Sequence, residues 1–244
     1  MEGPSLVILR EEMVRFVGKR AVERSTSIAQ ISPDVFKKRL VTIETWGKHL
    51  LMQFGDQTIK VHFLMFGSYR INEERDGKIP RLHLGFRNGQ INFYSCSITH
   101  LSGCVEDLYD WRVDLMSPRW DPKYVTQLLT KHSSAMLCDL LLDQDLFAGA
   151  GNIIKNEVLF NLRLHPECRL EDCQSAIRRR MVKEMHSYSQ KFYEWKKAFV
   201  LKRNWQVYRK QQCPHCGEDV TVQKTGDLRR VSFYCPSCQP MPAK

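Results

Sequence analysis

The sequence predicts an α+β chain in three parts: an antiparallel β-sandwich, a helical domain and a cysteine-held ribbon. Three observations predict it. Between about residues 20 and 96 the apolar positions recur at period two and turn residues interrupt them every few positions. From residue 121 onward the apolar spacing lengthens to that of amphipathic helices. Near the end of the chain Cys213, Cys216, Cys235 and Cys238 form two C-x2-C pairs separated by eighteen residues.

Taken in chain order, the first element follows Met1-Glu2-Gly3-Pro4. Apolar residues at Leu6, Leu9, Met13, Phe16 and Val17 keep the helical period, with Ser5 as the expected N-cap and Gly18 as the closing residue. Strands are expected over Leu40–Trp46 and over residues 50–54, 58–64, 69–71, 81–86 and 90–94. Gly47, Gly55-Asp56, Gly67 and Asn88-Gly89 punctuate them. Short strands with such frequent turns make an antiparallel sandwich or barrel. The pattern weakens over residues 97–118, where a linker is expected, and the first domain is set at residues 1–110. Asp121-Pro122 then offers an N-cap and a proline at the first helical position, opening a helix to about Lys131. A long polar helix covers residues 170–195. Arg178-Arg179-Arg180, Lys196-Lys197 and Lys202-Arg203 gather positive charge here, as a solvated face or as phosphate contacts. The helical domain is set at residues 111–204 and the ribbon at residues 205–244.

Residues 141–160 lie between these helices. An apolar run ends in Gly149-Ala150-Gly151, and Asn152 opens a second run with apolar residues at 153, 154, 158 and 159. The stretch reads as helix, tight turn, helix, the glycines supplying positive φ and Asn152 the N-cap of the second helix. A helix N-terminus offers unbonded N–H groups at the positive end of a dipole, and in a basic protein the natural anion for it is a phosphate. A capped helix hairpin inside a core would show the same pattern.

The 244 residues include 37 Lys and Arg against 27 Asp and Glu, a net charge of +10. An excess of that size favours a polyanionic partner, nucleic acid first and an anionic membrane second. No run of about 18 apolar residues occurs, and Arg10, Glu11 and Glu12 stand where a signal peptide would have its apolar core. A cytoplasmic monomer with no membrane partner is expected. The two C-x2-C pairs suit one tetrahedral four-thiolate zinc site at the tips of two β-turns, in preference to two disulfides. Such a Zn2+ is structural, because four thiolates leave no open position. Cys96, Cys104, Cys138, Cys168 and Cys173 are odd in number and unpatterned, as free thiols in a reducing compartment are.

Glu2-Gly3-Pro4, Gly47-Lys48, the Gly151-Asn152 turn and the terminal four-cysteine ribbon occur in that order. The combination resembles the formamidopyrimidine-DNA glycosylase and endonuclease VIII family over nearly the whole chain. The resemblance implies a β-sandwich, a helix–two-turn–helix domain and a zinc ribbon, with double-stranded DNA held across the cleft between domains. It implies a base-excision-repair DNA glycosylase with AP lyase activity, acting on an oxidised base or an abasic site and, in a bacterium, associated with the nucleoid. The region after Ser97 is more similar to the endonuclease VIII branch, which leans the substrate towards oxidised pyrimidines.

Excision through a covalent intermediate needs an amine that attacks the sugar C1′ and forms a Schiff base. An α-amino group with a pKa of about 7.7–8.0 is roughly a tenth free base near pH 7, whereas a lysine near 10.4 is under about a thousandth. The N-terminal amine is therefore the better nucleophile. Glu2 resembles the family's acid–base carboxylate. The family's order is Met-Pro-Glu-Gly-Pro, with the proline exposed by loss of Met, and here Met1 occupies the proline's register. Two outcomes stay open: a retained Met1 offers a primary amine at the same place, or the lyase step is weakened or lost and the chain is a binder of damaged or abasic DNA. Ser5 stands where the family frequently has a second Glu.

Lys48 resembles the β-domain lysine that contacts the phosphate or sugar of the damaged nucleotide, and His62 a phosphate-contacting position. Leu64, Met65 and Phe66, just before Gly67, resemble the wedge that fills the gap left by a flipped nucleotide, with Met65 foremost. Arg230, five residues before Cys235, resembles the hairpin arginine that approaches the phosphates around the lesion. Residues 188–203 lack the glycines of a flexible base-recognition loop, so an atypical lesion pocket is expected.

Overall fold

The computed structural model describes residues 1–28, 31–102 and 105–242, in two compact units. The first comprises Met1 and Ser5–Tyr109; the second comprises Glu2–Pro4 and Asp110–Lys244. Cys104 lies outside the described residues.

The first unit holds two four-stranded antiparallel sheets. One has β1 (Glu23–Thr26), β6 (Leu82–Phe86), β7 (Gly89–Tyr94) and β5 (Ser68–Ile71) side by side in that order. The other has β2 (Leu40–Trp46), β3 (His49–Phe54), β4 (Gln57–His62) and β8 (Ser97–Leu101). Alternate residues of both sheets turn into one core: Ile43, Leu50, Met52, Ile59 and Val61 from one, Leu82, Leu84, Ile91 and Phe93 from the other. Helix α1 (Gly3–Met13) adds Leu6, Leu9 and Met13 to that core. This is the sandwich that the period-two pattern predicts.

Three expectations are corrected here. Helix α1 begins at Gly3, so Ser5 lies buried within its first turn and is not the N-cap. Strand β1 is short and polar, Glu-Arg-Ser-Thr, and carries no apolar alternation by which a strand is recognised. Strand β8 occupies residues expected as linker: only Ile98 of its five residues is buried, but its backbone completes the sheet beside β4 from His62↔Ser97 to Thr58↔Leu101. Backbone hydrogen bonding, not side-chain burial, makes it a strand. A four-residue helix, α2 (Val105–Leu108), closes the unit.

In the second unit α3 (Pro122–Leu129) opens as expected, with Asp121 Oδ1 accepting from the amides of Lys123 and Tyr124 at 2.9 and 3.1 Å. Helices α4 (Leu137–Leu140), α5 (Asn152–Asn161) and α6 (Ser175–Lys197) follow. The ribbon hairpin consists of β9 (Thr221–Thr225) and β10 (Arg230–Tyr234). Among the described residues no helix is long and apolar enough to cross a membrane.

Candidate active site and nucleic-acid interface

The connection between α4 and α5 is two successive turns, as the helix–two-turn–helix of the resemblance implies, and the apolar run over residues 141–148 that reads as a helix lies in those turns. Gln144 staples them: its Nε2 donates to the carbonyls of Leu142 (2.7 Å) and Ala150 (3.2 Å), and its Oε1 accepts from the amide of Gly149 (3.1 Å). Gly149 has φ 97°, which favours glycine. Gly151 has φ −129°, open to any residue, yet a Cβ there would overlap the side chain of Glu2. Gly151 is thus required for close approach, not for its dihedral.

The Glu2 carboxylate occupies the N-terminus of α5. Its oxygens accept from the amides of Gly151 (3.2 Å), Ile153 (2.8 Å) and Ile154 (3.3 Å), and the amide of Gly3 donates to the Gly149 carbonyl at 2.9 Å. The anion at this helix end is therefore the protein's own carboxylate, where the sequence suggested a phosphate. Charge-assisted bonds and the helix dipole both stabilise it. The N-cap is Gly151, and Asn152 is the first helical residue, its Nδ2 donating instead to the Val231 carbonyl of β10 at 2.8 Å.

Three polar residues of α5 that the sequence left inside a helical run prove to be buried. Lys155 and Glu157 are 0% exposed and Asn156 1%. Glu157 accepts from the amides of Gln206, Val207 and Tyr208 at 2.7–3.0 Å and so fastens the segment that enters the ribbon. Asn156 Oδ1 accepts from Phe233 N at 2.9 Å. Asp139 of α4 accepts from the amides of Asp227 (2.6 Å) and Leu228 (3.3 Å) in the turn between β9 and β10. Arg229, which ends that turn, and Arg230, which opens β10, are both exposed. No signal in the sequence marked them, because charged residues within a helix ordinarily read as its solvated face.

The four cysteine Sγ atoms lie within 4.8 Å of one another. Cys213 and Cys238 sulfurs are 3.7 Å apart, Cys216 and Cys235 sulfurs 3.4 Å. Those separations are too long for disulfides, and tetrahedral ligands at about 2.3 Å from one ion would stand about 3.8 Å apart. The donor set fits a single thiophilic metal ion.

In the first unit Gly47-Lys48 forms the two-residue turn between β2 and β3, with Gly47 at φ 54°. His49 and His62 then pair across β3 and β4, their rings 5.5 Å apart and edge to face. Trp46 and Tyr109, 4.7 Å apart, flank His49. Burial, then the amino terminus, Lys48 and Lys60, push the His62 pKa down. Met1, half-buried, packs against the sandwich core. The sandwich therefore gathers the chain's first amine, Lys48 and His62 into one cationic region, which suits an anion.

His49 carries a pH dependence. Burial, then Lys60, His62 and Lys48, push it down from 6.5 to about 4. Between those values the unfolded chain binds a proton that the folded unit refuses. The stability that neutral His49 contributes is complete above about pH 6.5 and is lost as the pH falls through about 4. Discounted for partial exposure, it amounts to roughly 2 kcal/mol. His49→Phe is expected to move the acid-unfolding midpoint, followed by circular dichroism, to lower pH. An unchanged midpoint would remove His49 from the acid transition.

Between Phe63 and Gly67 the chain makes a tight turn closed by Gly67 N donating to Phe63 O at 2.7 Å, and a Cβ on Gly67 would overlap that carbonyl. The turn holds Leu64 at φ 51° and presents Leu64, Met65 and Phe66 at 54%, 69% and 79% exposure. Three consecutive exposed apolar side chains, held out by a strained turn, form an apolar tip that the first unit does not bury.

Two family models match the chain: the formamidopyrimidine-DNA glycosylase N-terminal domain over residues 7–96 and the formamidopyrimidine-DNA glycosylase H2TH domain over residues 113–193. It is 37% identical over 209 residues to endonuclease 8-like 3 of Mus musculus, which covers 81% of this chain and 34% of that protein. It is 30% identical over 197 residues to endonuclease 8-like 2 of Mus musculus, covering 75% and 58%. The chain thus spans about a third of the length of the first relative. Among solved structures, Lactococcus lactis formamidopyrimidine-DNA glycosylase non-covalently bound to DNA containing an AP site has the same fold, with a TM-score of 0.83 over 98% of this chain and 100% of that one at 22% identity.

Proposed function

Because the chain belongs to the formamidopyrimidine-DNA glycosylase and endonuclease VIII family, on its endonuclease 8-like side, we propose that it is a base-excision DNA glycosylase with AP lyase activity. Its substrate in this reading is double-stranded DNA with an oxidised base, pyrimidines favoured, or an abasic site. The observation that carries the reading is the Glu2 carboxylate, next in sequence to the chain's first amine and aimed by three amides of α5.

When Met1 is the first residue of the mature chain, its amine attacks C1′ of a flipped nucleotide. The glycosidic bond breaks, its electron pair leaves with the base, and the base takes up a proton. The sugar ring opens as the nitrogen forms an imine, and loss of a C2′ proton then expels the 3′-phosphate. Glu2 carries the protons of these steps. Its amide contacts to α5 stabilise the negative charge each time a proton leaves it. Lys48, His62 and Arg230 take the phosphates and sugar around the lesion, and Asn152 contributes the Nδ2 hydrogen not given to Val231. Leu64, Met65 and Phe66 fill the vacated stack. Zn2+ in the thiolate cluster of Cys213, Cys216, Cys235 and Cys238 is the structural ion that holds the ribbon.

Borohydride trapping on a duplex with one abasic site tests the proposal. A covalent protein–DNA adduct is expected, with the DNA mapped to Met1. An adduct on Lys48 would move the nucleophile there. No adduct, with tight binding to the same duplex and an unblocked terminus by mass, would replace the lyase with a non-catalytic binder.

A further inference from the structure

Lys155 is a buried titratable side chain that serves no part of the proposed chemistry directly. It is 0% exposed, and its Nζ donates to the Val231 carbonyl at 3.1 Å and to Ser232 Oγ at 2.8 Å. Ser232 Oγ in turn shares a hydrogen bond with Thr225 Oγ1 across the hairpin, and both hydroxyl residues are fully buried. We propose that Lys155 is a positioning residue: it locks β10, and with it Arg230, to the same turn of α5 that holds Glu2. The inference rests on the reading of Arg230 as a phosphate contact.

Burying an ammonium group is unfavourable unless something is gained. Burial is also the first cause of its depressed pKa, about 8. The charged and titratable groups around it are Cys138, Arg230, Asp139 and Glu2. Selection for stability alone would favour an apolar side chain of similar length. What the ammonium adds is register. With Asn152 on Val231 and Asn156 on Phe233, it fixes three consecutive residues of β10 against the first turns of α5. It also sets a positive charge beside the base of Arg230, which favours an outward guanidinium, and Arg230 is exposed.

The test is a double-mutant cycle on the full chain: wild type, Lys155→Met, Arg230→Ala and the double variant, titrated with a duplex carrying a tetrahydrofuran abasic analogue. Arg230→Ala and Lys155→Met are each expected to weaken binding by about tenfold, in the range of lost phosphate contacts. The double variant is expected to be no weaker than Arg230→Ala. Lys155→Met should keep or raise the melting temperature, and in steady-state excision it should raise KM while kcat stays within about twofold. Wild-type affinity in Lys155→Met, or a double variant weakened by the product of the two single effects, overturns the positioning role. Wild-type affinity in Arg230→Ala instead overturns the phosphate reading on which it rests. If Lys155→Met does not fold, Ser232→Ala, which removes one acceptor of the ammonium, enters the same cycle with the same criteria.

Discussion

Glu2→Gln is expected to lower single-turnover excision of an oxidised pyrimidine by about a thousandfold or more, within the range of general acid–base catalysis. Duplex affinity should change by less than about twofold, since the bonds the carboxylate makes are to α5 and not to a phosphate. The amide keeps the shape of the carboxylate but cannot cycle a proton, and its NH2 end meets the N–H of a helix terminus, donor to donor. A loss of about 1 kcal/mol of stability accompanies the lost charge at the helix end. Excision by Glu2→Gln at the wild-type rate would exclude Glu2 from proton transfer.

Removing the metal should have the other large effect. Stripping the ion with a chelator under reducing conditions leaves four thiols within 4.8 Å of one another with nothing to hold them there. The apolar cluster beneath the hairpin is small, built on Phe160, Val207 and Val220 around two of the cysteines. Metal-bound domains of this size owe their fold to the ion. The expected result is about one zinc per chain before stripping, loss of hydrogen-exchange protection in residues 205–242 after it, and lesion-duplex affinity down by about tenfold or more as the phosphate contact proposed for Arg230 is lost. Cys216→Ser should behave in the same way. Unaltered exchange in the metal-free ribbon would show that the cluster is not what holds it.

The sandwich and the ribbon were legible in the sequence because their signals are local. Alternation marked six of the strands, and cysteine spacing marked the ribbon. Strands β1 and β8 were not legible, because each is held mainly by backbone bonds to a neighbour distant in sequence. Glu2 could be read as a candidate from its place in a motif. That it would fill the helix end assigned to a phosphate could not, since this depends on bringing residue 2 against residues 151–154. The same long-range dependence hid the buried Lys155, Asn156 and Glu157. Nothing in a one-dimensional pattern distinguishes a charged residue facing water from one facing a strand some 75 residues later.

The apolar tip at residues 64–66 also carries a thermal consequence. In the free protein these side chains are exposed to water, so if they fill the vacated stack as proposed above, ordered water is released. Near room temperature such a gain is mainly entropic, and it fades on cooling. The balance between a base inside the helix and a base outside it should therefore tilt outward as the solution warms. In the cold the same protein would leave more damaged bases stacked in place, with every contacting side chain intact.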